Sequence, residues 1–343
     1  MRTFVVVDAA NLFFRSRHVV RGDIDDRVGL CAAVMLNSIK KIYNTHDTSH
    51  VVLALEGSSW RKTIYKPYKA NRKLANDKKS VNELEEDKIF YEAFDKLMTF
   101  FKEKTNVTVL QNPILEGDDL IAGWVQQHPN DNHIIVSSDT DFIQLVDDNI
   151  DLYDGMKDIT YKADGIYDKK GVKVDFVIQS NAKIKVGKPL KGDEQSEDSE
   201  WRDWYTFLKI IRGDPGDGVF SAYPGARLKG TKNKIGIREA FEDRSKQGFD
   251  WTNFMLHKWA DEEEVELTVL QAYKRNTELI GLSAQPDMIK GVITETIQEA
   301  IQRPKVGQVG LHFMKLCGQF DMPRVSESAV DFGRILSRSY SGE

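Results

Sequence analysis

The stretch His133-Ile134-Ile135-Val136-Ser137-Ser138-Asp139-Thr140-Asp141-Phe142 decides how this chain is read. Its β-branched opening predicts a buried strand, and two small residues then lead into two carboxylates. In an open α/β sheet, ligands collect beyond the carboxyl ends of the strands, which is where Asp139 and Asp141 fall. Acids this close repel unless something positive sits beside them, and hard oxygen ligands favour Mg²⁺ or Mn²⁺. A plain helix cap is the alternative, with Asp139 capping and Asp141 favoured by the helix dipole. Other acids in the same kind of place weigh against it.

Working outward, residues 3–7 predict a strand ending in Asp8, with Asn11 and Arg15 in the segment that follows. Residues 26–43 predict a helix, since Val28, Cys31, Met35, Ile39 and Ile42 recur at three- and four-residue steps. A strand over 51–55 ends in Glu56-Gly57, and a helix over 83–104 carries Phe90, Phe94, Leu97 and Phe101 on one face. A third strand, 107–110, leads to Glu116-Gly117-Asp118-Asp119 at a helix start. Alternating strands and helices predict an α/β fold with a mostly parallel sheet. Asp8, Glu56, Glu116, Asp118, Asp119, Asp139 and Asp141 then all follow strands at one edge. Packed without a cation they would raise one another's pKa, so a divalent-metal site is the better explanation.

Composition sets the frame. The chain has 343 residues, 41% apolar and 29% charged, enough for a full core in one large domain or two ordinary ones. Cys31 and Cys317 lie far apart without metal-ligand spacing, so a reducing, cytoplasmic setting is expected. Asp8 and Asn11 break the apolar start and no cleavage site follows; no stretch approaches membrane-spanning length. A net charge of −5 gives no global sign of nucleic-acid binding, so such a partner must be held by local patches.

Two basic patches are present. Between 61 and 79, Arg61, Lys62, Lys66, Lys69, Arg72, Lys73, Lys78 and Lys79 interleave with Tyr65 and Tyr68, after Trp60. With so little apolar content this segment is expected to order poorly alone. Its aromatic residues either stack on an unpaired base or pack the segment's own base. Residues 151–174 suggest a hairpin or two, and 187–200 a mobile acidic loop with no catalytic role. A helix over 201–212 ends in Gly213-Asp214-Pro215-Gly216-Asp217-Gly218, a turn bearing two acids. The second patch follows: Arg227, Lys229, Lys232, Lys234 and Arg238, with Gly225, Gly230 and Gly236 between to let a backbone approach phosphates. Residues 251–343 read as mostly helical.

In order along the chain, Val-Val-Asp8-x-x-Asn11, Trp60-Arg61 before Tyr68-Lys69-Ala70-Asn71-Arg72, Glu116-Gly117-Asp118-Asp119, Ser-Ser-Asp139-Thr-Asp141-Phe142 and Gly213-Asp214-x-x-Asp217 resemble the 5′ nucleases, or flap endonucleases. Bacteriophage nucleases of the RNase H/5′-exonuclease type are the nearest in pattern. The resemblance covers most of residues 1–245, and the helical remainder more weakly. It implies a PIN-like catalytic domain over 1–160, with a basic arch at 60–82. A mainly helical DNA-binding domain over 161–343 would carry a helix-turn-helix-type element. It further implies two Mg²⁺ ions, for which Mn²⁺ can stand in. Asp8, Glu56, Glu116, Asp118, Asp119 and Asp139 would form the first metal cluster. Asp141, Asp214 and Asp217 would complete the second, sharing Asp139. Lys69 and Arg72 match the basic pair placed over the scissile phosphate, and Arg15, Arg61, Lys66, Arg227, Lys229, Lys232 and Lys234 would hold nucleic acid.

The implied substrate is DNA with a 5′ flap, or RNA paired with DNA, cut by a monomer with no membrane association. A single-strand DNA-binding protein or replication polymerase is a candidate partner. Departures from the pattern are visible: Glu56 where Asp is usual, Gly218 in place of a common Asn, and a long stretch over 221–236 in place of a tight Gly-x-Gly turn. A PIN-type ribonuclease would share the acids without needing the Gly-rich basic element. A non-catalytic, structure-specific DNA binder is the rival from another class.

Overall fold

The computed structural model describes residues 1–46, 48–190, 200–260 and 266–341. Its opening elements are β1 (Thr3–Asp8), α1 (Ala9–Ser16), α2 (Ile24–Thr45), β2 (His50–Ala54), α3 (Arg61–Ile64), α4 (Ala70–Asn76) and α5 (Val81–Lys104). Next come β3 (Thr108–Leu110), α6 (Gly117–Gln127), β4 (Asn132–Val136), a 3₁₀ turn (Thr140–Leu145), β5 (Ile150–Asp154) and β6 (Ile159–Lys162). The later part holds β7 (Gly165–Tyr167), β8 (Lys173–Ile178), β9 (Ile184–Pro189), α7 (Trp201–Arg212), α8 (Ile237–Glu242), α9 (Phe249–Leu256), β10 (Lys258–Ala260), β11 (Glu266–Thr268) and α10 (Val269–Ile280). The helices α11 (Asp287–Ile301), α12 (Val309–Gln319), α13 (Pro323–Ser326) and α14 (Ala329–Ser337) end the chain. No helix among the described residues is long and apolar enough to cross a membrane.

Two compact units divide these elements: Met1–Ser59, Lys78–Lys162 and Asp287–Glu343 form one; Trp60–Asp77 and Ala163–Pro286 the other. The sequence suggests a single boundary at 160. In the structure both units are discontinuous, because α11 to α14 pack with the first unit and the basic segment from Trp60 belongs to the second.

In the first unit the strand order is β3-β2-β1-β4-β5-β6, parallel from β3 to β5, with β6 antiparallel. The order reverses at β1, since β2 lies on one side and β4 on the other. That is the topological switch point where such sheets leave a crevice beyond the strand ends. Both faces of the strands are covered, so they read as continuous apolar runs. Val5, Val7, Val51, Leu53 and Val136 pack with Met35, Ile39, Leu97 and Phe101 of α2 and α5 and with Phe313 and Phe332 of α12 and α14. On the other face the Phe4 ring meets Trp124 of α6 edge-on at 5.2 Å. There α6 lies so close to α11 that a Cβ on Gly123 would sit 2.1 Å from the Ile293 Cγ2.

The second unit joins a three-stranded antiparallel set, β7-β8-β9, to helices α7 to α10. Trp204, Phe207, Leu208 and Ile211 of α7 form its core with Phe241, Phe254 and Ala272. The hairpins expected over 151–174 are present as β5–β6 and β7–β8. Of the loop expected at 187–200, residues 187–189 end β9 and Glu200 precedes α7. Residues 191–199 lie outside the described residues.

Candidate functional site

Each acid of the first unit stands at a strand-to-helix turn, and capping explains how it is held. Asp8 ends β1 and caps α1: its Oδ1 accepts from the Asn11 amide at 3.1 Å and its Oδ2 from the Ser137 hydroxyl at 2.9 Å. Asp139, past β4, accepts from the Asp141 amide at 2.9 Å and caps the 3₁₀ turn. Glu116 opens α6 in a capping box with Asp119, and the Ser59 hydroxyl donates to it at 2.6 Å. Glu56, past β2, accepts from the Gly117 amide at 2.9 Å. Capping and clustering are therefore not alternatives. The preference of acids for N-caps is what aims the carboxylates at the turns, and the parallel strands bring the turns to one edge.

Charge is in excess there. Burial pushes the Asp8 carboxyl up to about 7, with Glu56 and Asp139 repelling its ionised form, against the Asn11 and Ser137 hydrogen bonds that favour it. Asp118, Asp139 and Asp141 are half-buried, Glu56 is exposed, Glu116 is buried and Asp119 is fully buried. The donor set is oxygen only, which suits a hard divalent cation. Among the described residues no three acidic, histidine or cysteine side chains are drawn to the spacing of a closed ion cage. The edge thus has the chemistry of a divalent-cation site without a preformed cage among the described residues.

Sequence reasoning singles out Asn11, Ser137 and Ser138 as motif positions without giving them a task. In the structure, the Asn11 carbonyl oxygen accepts from the Ser138 amide at 3.1 Å and its hydroxyl at 2.7 Å, tying the β1 turn to the β4 turn. Ser59 escapes such reasoning; a small polar residue three places beyond an acid is too common a pattern to be noticed.

The second unit places its residues differently. Asp214 lies 3.2 Å from the Lys209 Nζ and accepts from the amides of Gly216 and Asp217. Arg72 meets the Asp217 Oδ1 at 2.6 Å, the Lys69 Nζ lies 3.7 Å from its Oδ2, and the Tyr68 hydroxyl donates to Oδ2 at 3.3 Å. So the expected phosphate-holding pair sits on an expected metal ligand. The basic segment, expected to order poorly, forms α3 and α4, because Tyr68 buries itself with Ile210, Val219, Leu279 and Ile280. The aromatic question is answered for Trp60 and Tyr68, which are buried. Arg61, expected among the phosphate-holding residues, is 2% exposed, with its guanidinium over the Trp60 ring at 4.6 Å.

Arg15 and Lys66 are exposed, as are Arg227, Lys229, Lys232 and Lys234 in the turns before α8. Glycines in that stretch serve the chain itself: a Cβ on Gly236 would meet the Gly230 nitrogen at 2.4 Å, and both amides donate to Glu239. Thr231 and Lys234 close the turn by mutual backbone bonds.

Residues 3–176 match the model of the 5′-3′ exonuclease N-terminal, resolvase-like domain. The chain is 33% identical over 158 residues to the flap endonuclease Xni of Shewanella woodyi, covering 45% of this chain and 57% of that one. It is 26% identical over 180 residues to a 5′-3′ exonuclease of Buchnera aphidicola, covering 50% and 58%. It therefore spans little more than half the length of these curated relatives. The fold is shared with the bacteriophage T5 flap endonuclease crystallised with DNA and metal ions, at a TM-score of 0.58 and 18% identity over 88% of this chain and all of that one. A zinc-bound T5 5′-exonuclease structure aligns at a TM-score of 0.57 and 16% identity, over 87% and 99%. With half of its length matched by the family's own model and its acids gathered at the switch point of that domain's sheet, the chain belongs to the 5′-3′ exonuclease family.

Proposed function

We propose that the chain is an Mg²⁺-dependent, structure-specific 5′ nuclease that hydrolyses phosphodiester bonds near 5′ ends of DNA, or of RNA paired with DNA. Its task would be removal of RNA primers and flaps in replication, as a cytoplasmic monomer beside a single-strand DNA-binding protein or polymerase. One observation carries the reading: Asp8, Glu56, Glu116, Asp118, Asp139 and Asp141 follow four adjacent parallel strands onto one edge, with hydroxyl and amide groups already orienting them. The relatives' names, flap endonuclease and 5′-3′ exonuclease, support it, as does the T5 enzyme's complex with DNA and metal ions.

Those six carboxylates would hold the divalent ions. When bound, such ions offset the charge that builds on a phosphodiester at its transition state. The remaining roles belong to the chain. Asn11 and Ser137 orient Asp8, and Ser59 orients Glu116, before any ion binds. Lys69 and Arg72 would stabilise the phosphate oxygens, and Arg15, Lys66, Arg227, Lys229, Lys232 and Lys234 would neutralise the backbone of the duplex.

The test is cleavage of a 5′-labelled flap duplex with Mg²⁺ and with a chelator. Release of the flap in Mg²⁺ alone is expected. Cutting of single-stranded RNA in preference to the flap would favour a PIN-type ribonuclease, and tight flap binding with no cleavage in Mg²⁺ or Mn²⁺ would leave a DNA-binding protein.

A further inference from the structure

We infer that residues 337–340 form an acid-released strap over the amino ends of β3, β2 and β1, held there by His50 and His128 in their neutral forms. The segment meets the three strands in turn. Before β3, the Asn106 side chain donates to the Ser337 carbonyl at 2.7 Å, and the Asn106 amide to the Leu336 carbonyl at 2.9 Å. At β2, the His50 Nδ1 meets the Arg338 carbonyl at 3.1 Å, and the Arg338 guanidinium donates to the Thr48 carbonyl at 3.1 Å. At β1, the Tyr340 ring lies parallel to Phe4 with centres 6.2 Å apart, and the Arg2 guanidinium stands 4.7 Å from its centre. The Tyr340 hydroxyl reaches the His128 Nε2, past the end of α6, at 2.9 Å.

These partners fix the protonation of both rings. A carbonyl only accepts, so the His50 Nδ1 carries the hydrogen; the Thr108 amide donates to its Nε2 at 3.2 Å, so that nitrogen carries none. A second proton would point at the Thr108 N–H. The His128 Nδ1 donates to the Trp124 carbonyl at 2.8 Å, which leaves its Nε2 to accept from the Tyr340 hydroxyl. Arg2 already donates to that hydroxyl at 3.4 Å, so an imidazolium would set a second cation against it. His133 lies behind them, with its Nε2 on the His128 carbonyl at 2.9 Å and its Nδ1 buried without a hydrogen-bond partner among the described residues.

The charged groups facing the cluster are Arg2 and Asp131, paired at 2.9 Å, and Arg338, which stands over the Tyr43 ring. From α11 comes the neutral Gln298, beside Arg2, His128, Asp131 and Tyr340. Burial dominates: it lowers His50 and His133 to about 4 and lowers His128 as well, with Arg2 adding to the shift at all three and Asp131 opposing it at the last two. A folded pKa below the unfolded one means that the hold is complete above about pH 6.5 and is withdrawn as pH falls toward 4. The inference stands on the fold of the first unit and not on the nuclease reading.

Hydrogen exchange of the full chain, corrected for the intrinsic rate at each pH, tests the strap at the Asn106 and Thr108 amides. Opening there is expected to rise about tenfold for each of His50 and His128 between pH 7.5 and pH 5.5, ahead of the core amides of Val6 and Ile135. His50→Asn, whose carboxamide can donate to the Arg338 carbonyl but does not titrate, should remove about one tenfold step. Tyr340→Phe, which keeps the ring and deletes the hydroxyl, should remove the step that belongs to His128. Nitrogen-15 shifts at pH 7.5 should show both rings neutral with the hydrogen on Nδ1. If Asn106 and Thr108 exchange in step with Val6 and Ile135 at every pH, acid loosens the whole protein and the strap is refuted, whether or not a variant folds. An unchanged step in both variants, or a hydrogen on the His50 Nε2 at pH 7.5, would overturn it as well.

Discussion

Two sets of carboxylates in this chain meet opposite fates. Asp214 and Asp217 of the second unit lie beside Lys209, Lys69 and Arg72 of the same unit. Asp8 of the first unit accepts from neutral donors, Asn11 and Ser137, set against Glu56 and Asp139, and its carboxyl rises to about 7. A crowded acid holds unfavourable charge that a bound cation would relieve.

The largest expected effect breaks or upholds the crowded set. Asp139→Asn should cut single-turnover cleavage of a 5′ flap by about a thousandfold or more, on the order of 4 kcal/mol in the barrier. Flap binding measured in Ca²⁺ should stay equal or tighten, because one fewer charge repels the incoming phosphate. Near-normal cleavage would show the edge to be a set of caps and no more.

The second prediction sharpens the comparison through acid. The amino ends of the same strands carry His50 and His133, both buried and pushed down to about 4 by that burial. Their folded pKa lies below the unfolded value, so their contribution is complete above about pH 6.5 and fades as pH falls toward 4. Each should withdraw about 2 kcal/mol of stability between pH 7 and pH 5. Asp8 runs the other way: its raised pKa means its ionised form costs stability, and acidification from pH 7 returns about 2 kcal/mol. Urea unfolding of Asp8→Asn should therefore show a more stable protein than wild type at pH 7, with a steeper loss by pH 5. Equal slopes in the two proteins would mean that Asp8 ionises normally.

How far the fold and site are legible in the sequence follows the same division. Apolar runs of β-branched residues make β1, β2 and β4 visible, and their shared endings in acid locate the edge, because a parallel sheet buried on both faces leaves a strong local signature. The pairing of Asp217 with the basic segment is invisible there. Nothing local in Lys69 or Arg72 tells that Asp217, far along the chain, lies beneath them, and Tyr68 looks like an isolated aromatic because its apolar partners come from α7, α10 and Val219. The burial of Arg61 is likewise hidden, since a cation beside Trp60 reads as a surface group. Gly230 and Gly236 suggest phosphate approach, whereas tertiary closeness to each other and to Glu239 is what demands them.

The smallest effect concerns the cations that folding leaves uncommitted to either set of acids. Lys232 and Lys234 are exposed on the turn before α8, beside a cavity of about 830 Å³ that Tyr223, Asn253 and His257 also line. Their chain is fixed by the Thr231–Lys234 bonds and by Glu239. Truncating the side chains should therefore leave the backbone, and the acids of the first unit, unaltered. Lys232→Ala with Lys234→Ala is expected to raise KM for a flap substrate about tenfold, or about 1.4 kcal/mol, with kcat spared at saturation. Each phosphate that is no longer neutralised should also flatten the salt dependence of binding by about one unit of log–log slope, about two for the pair. A double variant with an unchanged salt slope would show that the turn does not touch the duplex. A lowered kcat at saturating DNA, with binding intact, would instead make these lysines part of the chemistry and not of the grip.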